Sequence, residues 1–384
     1  MPTNVTREYL EAEEELRAAR NSREKLEALK KMLKTVPKHK GTEKLQMQIK
    51  RKISKLKEDV REGRRRGGGP SFNIKKEGAA QVALIGLPNS GKSLLLNRLT
   101  HANTEVGTWE FTTVVPQPGM MEYEDIQIQL VEIPALIEGA FKGKGLGGKI
   151  FSAIRVVDAL LIVIDLSRDP LHQMKIILRE LERANVKVNS KRKDVEIVKK
   201  SRGGIEIRGK RYFKGDIKTL KEVLLEEKIH NALVIFKERT TIEEFSDVLN
   251  EALVHLDALV LANKADLLGS KKNYEKLLKE FPNFEIIPIS ALTEWNLKIV
   301  REKTFKVLEI IRIHTKTPGS KAAYPPITLK KGATVMQVAE RIHRHFTRDF
   351  KFAKVWGTSA KYDGQRVGGE HILEDEDTVE VHLR

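Results

Sequence analysis

The sequence predicts an α/β protein whose central parallel sheet carries a phosphate-binding loop, flanked by an N-terminal helical region and a small C-terminal β module. Three observations predict it. From Ala79 onward, short β-branched runs alternate with helical stretches, the pattern of a parallel sheet with crossover helices. The first run passes directly into Gly86-Leu-Pro-Asn-Ser-Gly-Lys-Ser93, which matches GxxxxGK[ST] and leads into the apolar Leu94-Leu95-Leu96. The composition also changes at both ends, at a basic glycine-rich run before the sheet and again after Arg312.

The elements follow in order. Residues 7–62 read as two helices, with Leu10, Leu16, Leu26, Leu29 and Leu33 on the first and Leu45, Ile49, Ile53, Leu56 and Val60 on the second. Pro37 to Gly41 separates them, and Gly63 to Pro70 is a flexible basic linker, so residues 1–70 form an N-terminal helical hairpin and linker. Candidate strands are Val82 to Ile85, Ile126 to Ile133, Ala159 to Asp165, Ala258 to Ala262 and Glu285 to Pro288, within a core of residues 71–312. A crossover needs only a dozen or so residues, yet about 90 separate Asp165 from Ala258, which implies an inserted subdomain at 169–240. Its middle, Val195 to Tyr212, alternates and contains Gly203, Gly204 and Gly209, which predicts a hairpin with helical flanks. Residues 313–384 predict a β-grasp unit with strands at Ile327 to Leu329 and Val379 to Leu383 and a helix from Val335 to His345. Histidines 314, 343, 345, 371 and 382 lie there without metal-ligand spacing, so surface or core roles are expected.

Composition narrows the functional classes. The chain of 384 residues has no cysteine, which excludes disulfides, thiolate metal sites and cysteine nucleophiles. No run of 18 apolar residues occurs and the N-terminus is polar, so a cytoplasmic protein without a membrane partner is expected. The net charge of +17 is concentrated: residues 30–76 hold 17 Lys and Arg against 4 Asp and Glu, and residues 187–221 hold 13 against 4. Two such segments fit a polyanion such as RNA, bound through its phosphates. Either one alone reads as a solvated, solubilising face.

The glycines of the phosphate loop, Gly86 and Gly91, with Pro88, Asn89, Ser90 and Leu94, would let backbone N–H groups surround phosphates at a helix N-terminus. Lys92 would reach the β and γ oxygens, and the Ser93 hydroxyl would bind Mg2+. Asn263-Lys264-Ala265-Asp266, followed by Leu267, comes after an apolar strand, where an α/β sheet binds its ligand. The Asp266 carboxylate can accept from guanine N1–H and the N2 amine, a pairing adenine lacks. Asn263 would brace the site and Lys264 would lie along the base. Ser290-Ala291-Leu292, after the next strand, offers a backbone N–H to the guanine carbonyl. Three ordered matches at strand ends predict a Ras-like P-loop fold that binds GTP and GDP.

Further residues narrow the resemblance: Lys40-Gly-Thr-Glu-Lys-Leu-Gln46, Trp109-Glu-Phe-Thr-Thr113, Ile137-Glu-Gly-Ala140, Lys142-Gly-Lys-Gly145, Lys228-Ile-His-Asn-Ala232, Val355-Trp-Gly357 and Leu373-Glu-Asp-Glu-Asp377. With them the chain resembles the developmentally regulated GTP-binding subfamily of the Obg GTPases over nearly its whole length. The resemblance implies an N-terminal helical element, a GTPase core with a small inserted α/β domain, and a C-terminal TGS domain. It also implies association with ribosomes and translation, and a stabilising partner protein.

Where that family reads Asp-x-Pro-Gly in its second switch, this chain has Glu132-Ile-Pro-Ala135. Glu132 would hold Mg2+ through a water with one methylene more, while Ala135 keeps the N–H that meets the γ-phosphate but loses access to positive φ. Leu136 stands where Ras-like proteins keep a water-orienting Gln, which implies slow hydrolysis. Asn89 resembles a K+-holding residue of related potassium-activated GTPases, and is equally a favourable turn residue. The first switch is expected at Trp109 to Thr113, with Thr113 preferred to Thr112 as Mg2+ ligand and as a catalytic group beside Lys92 and Ala135. Glycines 139, 143, 145, 147 and 148 would let the second switch rearrange. Three functions compete: a slow GTPase switch acting on the ribosome or RNA, a non-hydrolysing GTP-binding scaffold, and an RNA-binding protein with a vestigial nucleotide site.

Overall fold

The computed structural model describes residues 22–36, 72, 74–100, 115–139 and 147–384. Most of the expected N-terminal hairpin, the basic linker, Trp109 to Thr113, Gly143 and Gly145 lie outside the described residues. The chain divides into two units, residues 1–71 and 72–384. Of the first, the helix Ser22–Thr35 is described; it buries Ala28, Leu29 and Met32 along one stripe.

The second unit is built on a seven-stranded sheet. In chain order its first strands are β1 (Gln81–Gly86), β2 (Gln117–Tyr123), β3 (Ile126–Glu132), β4 (Ala159–Asp165) and β5 (Val186–Val188). The insertion contributes β6 (Val195–Lys199), β7 (Ile205–Arg208), β8 (Phe213–Lys214), β9 (Ala232–Phe236) and β10 (Thr240–Thr241). The sheet resumes with β11 (Val254–Asn263) and β12 (Ile286–Pro288), and the C-terminal module holds β13 (Ile310–Thr315), β14 (Ile327–Lys330), β15 (Phe350–Trp356), β16 (Gln365–Val367) and β17 (Thr378–Leu383). The main sheet runs β12-β11-β4-β1-β3-β2, with β5 added to β11, and all neighbours are parallel except β2 on β3. Parallel pairing brings the ends of β1, β4, β11 and β12 to one edge, so the loops after them converge. β1 and β4 are buried along their full length, as expected of strands covered on both faces.

β2 escapes the sequence reading because Pro118 and Gly119 mimic a turn. It is an edge strand, where a missing N–H is tolerated. The insertion also differs from expectation: β6 and β7 do not form a hairpin. β9 lies between them, antiparallel to β6 and parallel to β7. Alternation made both segments strands but carried no information about a partner some 20 residues further on. The insertion has its own core, from Val195 to Leu249, around Phe213, Phe236 and Phe245, whereas the helix Pro170–Arg183 packs into the central core through Met174, Ile177 and Leu181.

In the C-terminal module, β14-β13-β17-β15-β16 pack one face on the helix Val335–Ile342. Its buried Arg312 binds Asp375 and Glu376 of the module and also Glu124 and Asp125 in the turn between β2 and β3. Burial opposes its charge, but the hydrogen bonds to Asp375, Asp125 and Glu124 outweigh this and hold the guanidinium above its usual range. The five histidines take structural roles: His314 faces Asp125, His343 stacks on His345, His371 meets Ser359, and His382 pairs with Glu380. No helix among the described residues is long and apolar enough to cross a membrane.

Candidate nucleotide site

β1 ends at Gly86, and the loop turns into the helix Lys92–Leu99, held down by Leu95, Leu96 and Leu99. Two glycines are required here. A Cβ on Gly86 would lie 2.6 Å from the Val163 carbonyl and 2.8 Å from Ser90 Oγ, and Gly91 caps the helix at φ 92°, against the Asn263 side chain. Asn89 also adopts a left-handed φ of 62°. The helix thus presents its free N–H groups at the sheet edge, with Pro88 and Leu94 on either side of the turn.

Lys92 is buried and donates to the Gly86 and Leu87 carbonyls at 3.2 and 3.0 Å. Burial lowers its pKa to about 8, partly offset by the negative Glu132. The Ser93 hydroxyl donates to Glu132 Oε1 at 2.7 Å, so the longer acid at the end of β3 reaches the serine of the phosphate loop. A serine hydroxyl beside a buried carboxylate is a hard-oxygen donor set, and it fits Mg2+. Ser90 Oγ is buried without a hydrogen-bond partner among the described residues, a polar atom in the middle of the phosphate loop.

Past β3, the Leu136 N–H donates to the Gly86 carbonyl at 3.1 Å while its side chain is fully buried in the central core. It therefore turns away from the site. Ala135 is half-buried between them, and Gly139 takes a positive φ of 84°. Gly147 and Gly148 open the helix Gly147–Ile154. Thr112 and Thr113 lie outside the described residues.

The base side is interlocked. Asn263, buried at the end of β11, donates from Nδ2 to the Ser90 carbonyl at 2.9 Å and accepts from the Ala291 N–H at 3.0 Å. One side chain thereby ties three loops together. Lys264, at φ 63°, donates from Nζ to the Asn89 carbonyl at 3.0 Å and to Asp165 Oδ2 at 2.6 Å. Asp165, buried at the end of β4, also accepts from the N–H and hydroxyl of Ser167. Sequence reasoning missed Asp165 as a site residue; its position at a strand end beside the phosphate loop was the available signal. Asp266, Leu267 and Leu292 are exposed. Of the Ser290-Ala291-Leu292 triplet, Ser290 N–H donates to Trp295 and Ala291 N–H to Asn263, and the Leu292 N–H has no hydrogen-bond partner among the described residues.

Comparisons with known proteins show which family the domains belong to. Residues 81–200 match a family described as 50S ribosome-binding GTPase, residues 202–310 its C-terminal region, and residues 311–383 the TGS domain. An uncharacterized GTP-binding protein of Methanocaldococcus jannaschii is 36% identical over 365 residues, covering 94% of this chain and 93% of that one. The developmentally-regulated GTP-binding protein 1 homolog of Dictyostelium discoideum is 36% identical, covering 87% and 91%. The developmentally-regulated GTP-binding protein 2 of Homo sapiens is 34% identical, covering 93% and 98%.

Proposed function

Given that the chain belongs to the developmentally regulated GTP-binding family and carries its GTPase and TGS domains, we propose that it is a slow, Mg2+-dependent GTPase switch acting on the ribosome or another RNA-rich partner. The observation that carries the nucleotide reading is the Asn263–Ser90 and Lys264–Asn89 pair of bonds, which fixes the base-recognition loop to the phosphate loop in one geometry. Asp266 reads guanine, the Leu292 N–H meets its carbonyl, and Gly86 to Ser93 hold the phosphates. Lys92 is the cation at the β and γ oxygens.

Ser93 and Glu132 would hold Mg2+, with Thr113 as the expected third protein group. When bound there, the ion would neutralise developing charge on the phosphates. Slow turnover follows from Leu136, whose side chain is spent in the core and orients no water. Asn89, at the phosphate loop with its backbone carbonyl engaged by Lys264, is the candidate K+ contact. Turnover measured in K+ against Na+ tests that, and equal rates would remove it.

The RNA reading rests on the two basic segments together, residues 30–76 and the insertion. Lys199, Arg202, Lys210, Lys214, Lys218 and Lys221 are all exposed in the insertion. Binding through phosphates would weaken linearly with log salt and would differ between the GTP and GDP states. Retention of ribosomes or RNA that is indifferent to nucleotide would contradict a switch. A stabilising partner protein and a cytoplasmic location belong to the same reading. The second reading, a GTP-binding scaffold without hydrolysis, is favoured by Glu132, Ala135 and Leu136 together. Single-turnover hydrolysis in excess protein separates the two.

A further inference from the structure

We propose that Glu180 is a positioning residue for the second switch: its carboxylate holds the Gly139 N–H and so fixes the backbone that leads away from Ala135 and Leu136. The inference rests on the GTPase reading above. Glu180 sits on the helix Pro170–Arg183 and is fully buried. A carboxylate is retained in such a place only when hydrogen bonds and opposite charge offset its desolvation. Glu180 Oε1 accepts from Gly139 N at 3.1 Å and meets Arg183 Nη1 at 3.3 Å.

Gly139 is at φ 84°, and its N–H is held by Glu180 of the helix. Counted along the switch, the segment is fixed at its start by the Leu136 N–H on the Gly86 carbonyl, in its middle by the buried Leu136 side chain, and at its exit by Glu180. The first two contacts involve the phosphate loop and the core. Among the described residues, the Glu180 contact is one that a single substitution removes while leaving both the switch residues and the nucleotide-binding loops unchanged. Glu138 and Arg179, 3.9 Å apart and half exposed, add little, since a screened surface pair contributes weakly. A group that orients the switch but not the nucleotide should govern the rate of hydrolysis and leave ground-state binding alone, because misplacement of the reacting geometry acts on the transition state.

The test compares Glu180→Asp, Glu180→Gln and Arg183→Ala with the wild type. Asp is one methylene too short to reach Gly139, while Gln keeps a neutral acceptor of the right length. Expected for Glu180→Asp is a fall in kcat of about tenfold with KM and GDP affinity within about twofold. Glu180→Gln should recover most of the rate, and Arg183→Ala should keep it. Amide exchange of a peptide covering residues 133–139 should be fast in Glu180→Asp and slow in Glu180→Gln, a readout that stands even if the wild type turns over no GTP. An idle wild type would count against the GTPase reading alone. Wild-type kcat and wild-type exchange in Glu180→Asp would overturn the role of Glu180, as would a parallel loss of kcat and nucleotide affinity.

Discussion

The base side and the metal side of the nucleotide site are held in different ways. On the base side, the buried Asn263 bonds to the backbone of Ser90 and Ala291, and the partly buried Lys264 bonds to the Asn89 carbonyl and the Asp165 carboxylate. On the metal side, one side-chain pair, Ser93 with Glu132, meets a segment that is anchored by Leu136 and Glu180. The difference fits the function proposed above. Base recognition profits from a rigid, preorganised cradle, whereas a switch must have a second arrangement of comparable energy.

Four measurements break or sharpen that comparison. The largest effect is expected at Asp266, whose exposed carboxylate makes no hydrogen bond or ion pair with the described residues. Asp266→Asn should reduce the preference for GTP over ATP by about 1,000-fold or more, read by competitive titration, because the site's donors and acceptors no longer match guanine. An unchanged preference would end the base-recognition argument. Next, Asp165→Asn removes the charge that holds Lys264, and GTP and GDP affinity should both fall about 10- to 100-fold, as for a lost charge-assisted bond. If only GTP weakened, the base side would not be the rigid half.

On the metal side, Glu132→Gln should raise the Mg2+ concentration needed for half-maximal GTP binding about tenfold, the usual scale for a group that supports a metal rather than ligating it directly. No change would place Glu132 outside the metal's surroundings. The smallest effect concerns pH. Burial lowers the Lys92 pKa to about 8, so the amine loses its charge as pH rises, and phosphates require that charge. Nucleotide affinity should be full below about pH 7 and drop about threefold between pH 7.5 and 8.5. Lys92→Arg, with a guanidinium that stays charged, should flatten this profile.

Much of this site is legible in the sequence because its signals are local. Gly86 to Ser93 encodes a backbone shape in consecutive residues, and Asn263 to Asp266 and Ser290 to Leu292 each occupy one strand end. Asp165 and Glu180 are not legible in that way. An acid after an apolar strand, or one on the amphipathic helix Pro170–Arg183, has no neighbouring residue that marks it as special. Each acquires its role from groups far along the chain: Lys264 lies 99 residues from Asp165, and Gly139 lies 41 from Glu180. The insertion teaches the same lesson, since the alternation of β6 and β7 was visible but their shared partner β9 was not.

The sequence by itself determined that this protein has a phosphate cradle, a guanine-reading loop and a C-terminal β module, because hydrogen-bonding types and backbone permissiveness are properties of neighbouring residues. Only the tertiary structure decided which distant carboxylates complete the site. It put Asp165 against Lys264 and Glu180 against Gly139, and it brought Glu132, already named by the sequence, to Ser93. The physical reason is burial: away from water a charge must have a partner, and which partner is near depends on how the strands and helices pack, not on their order along the chain.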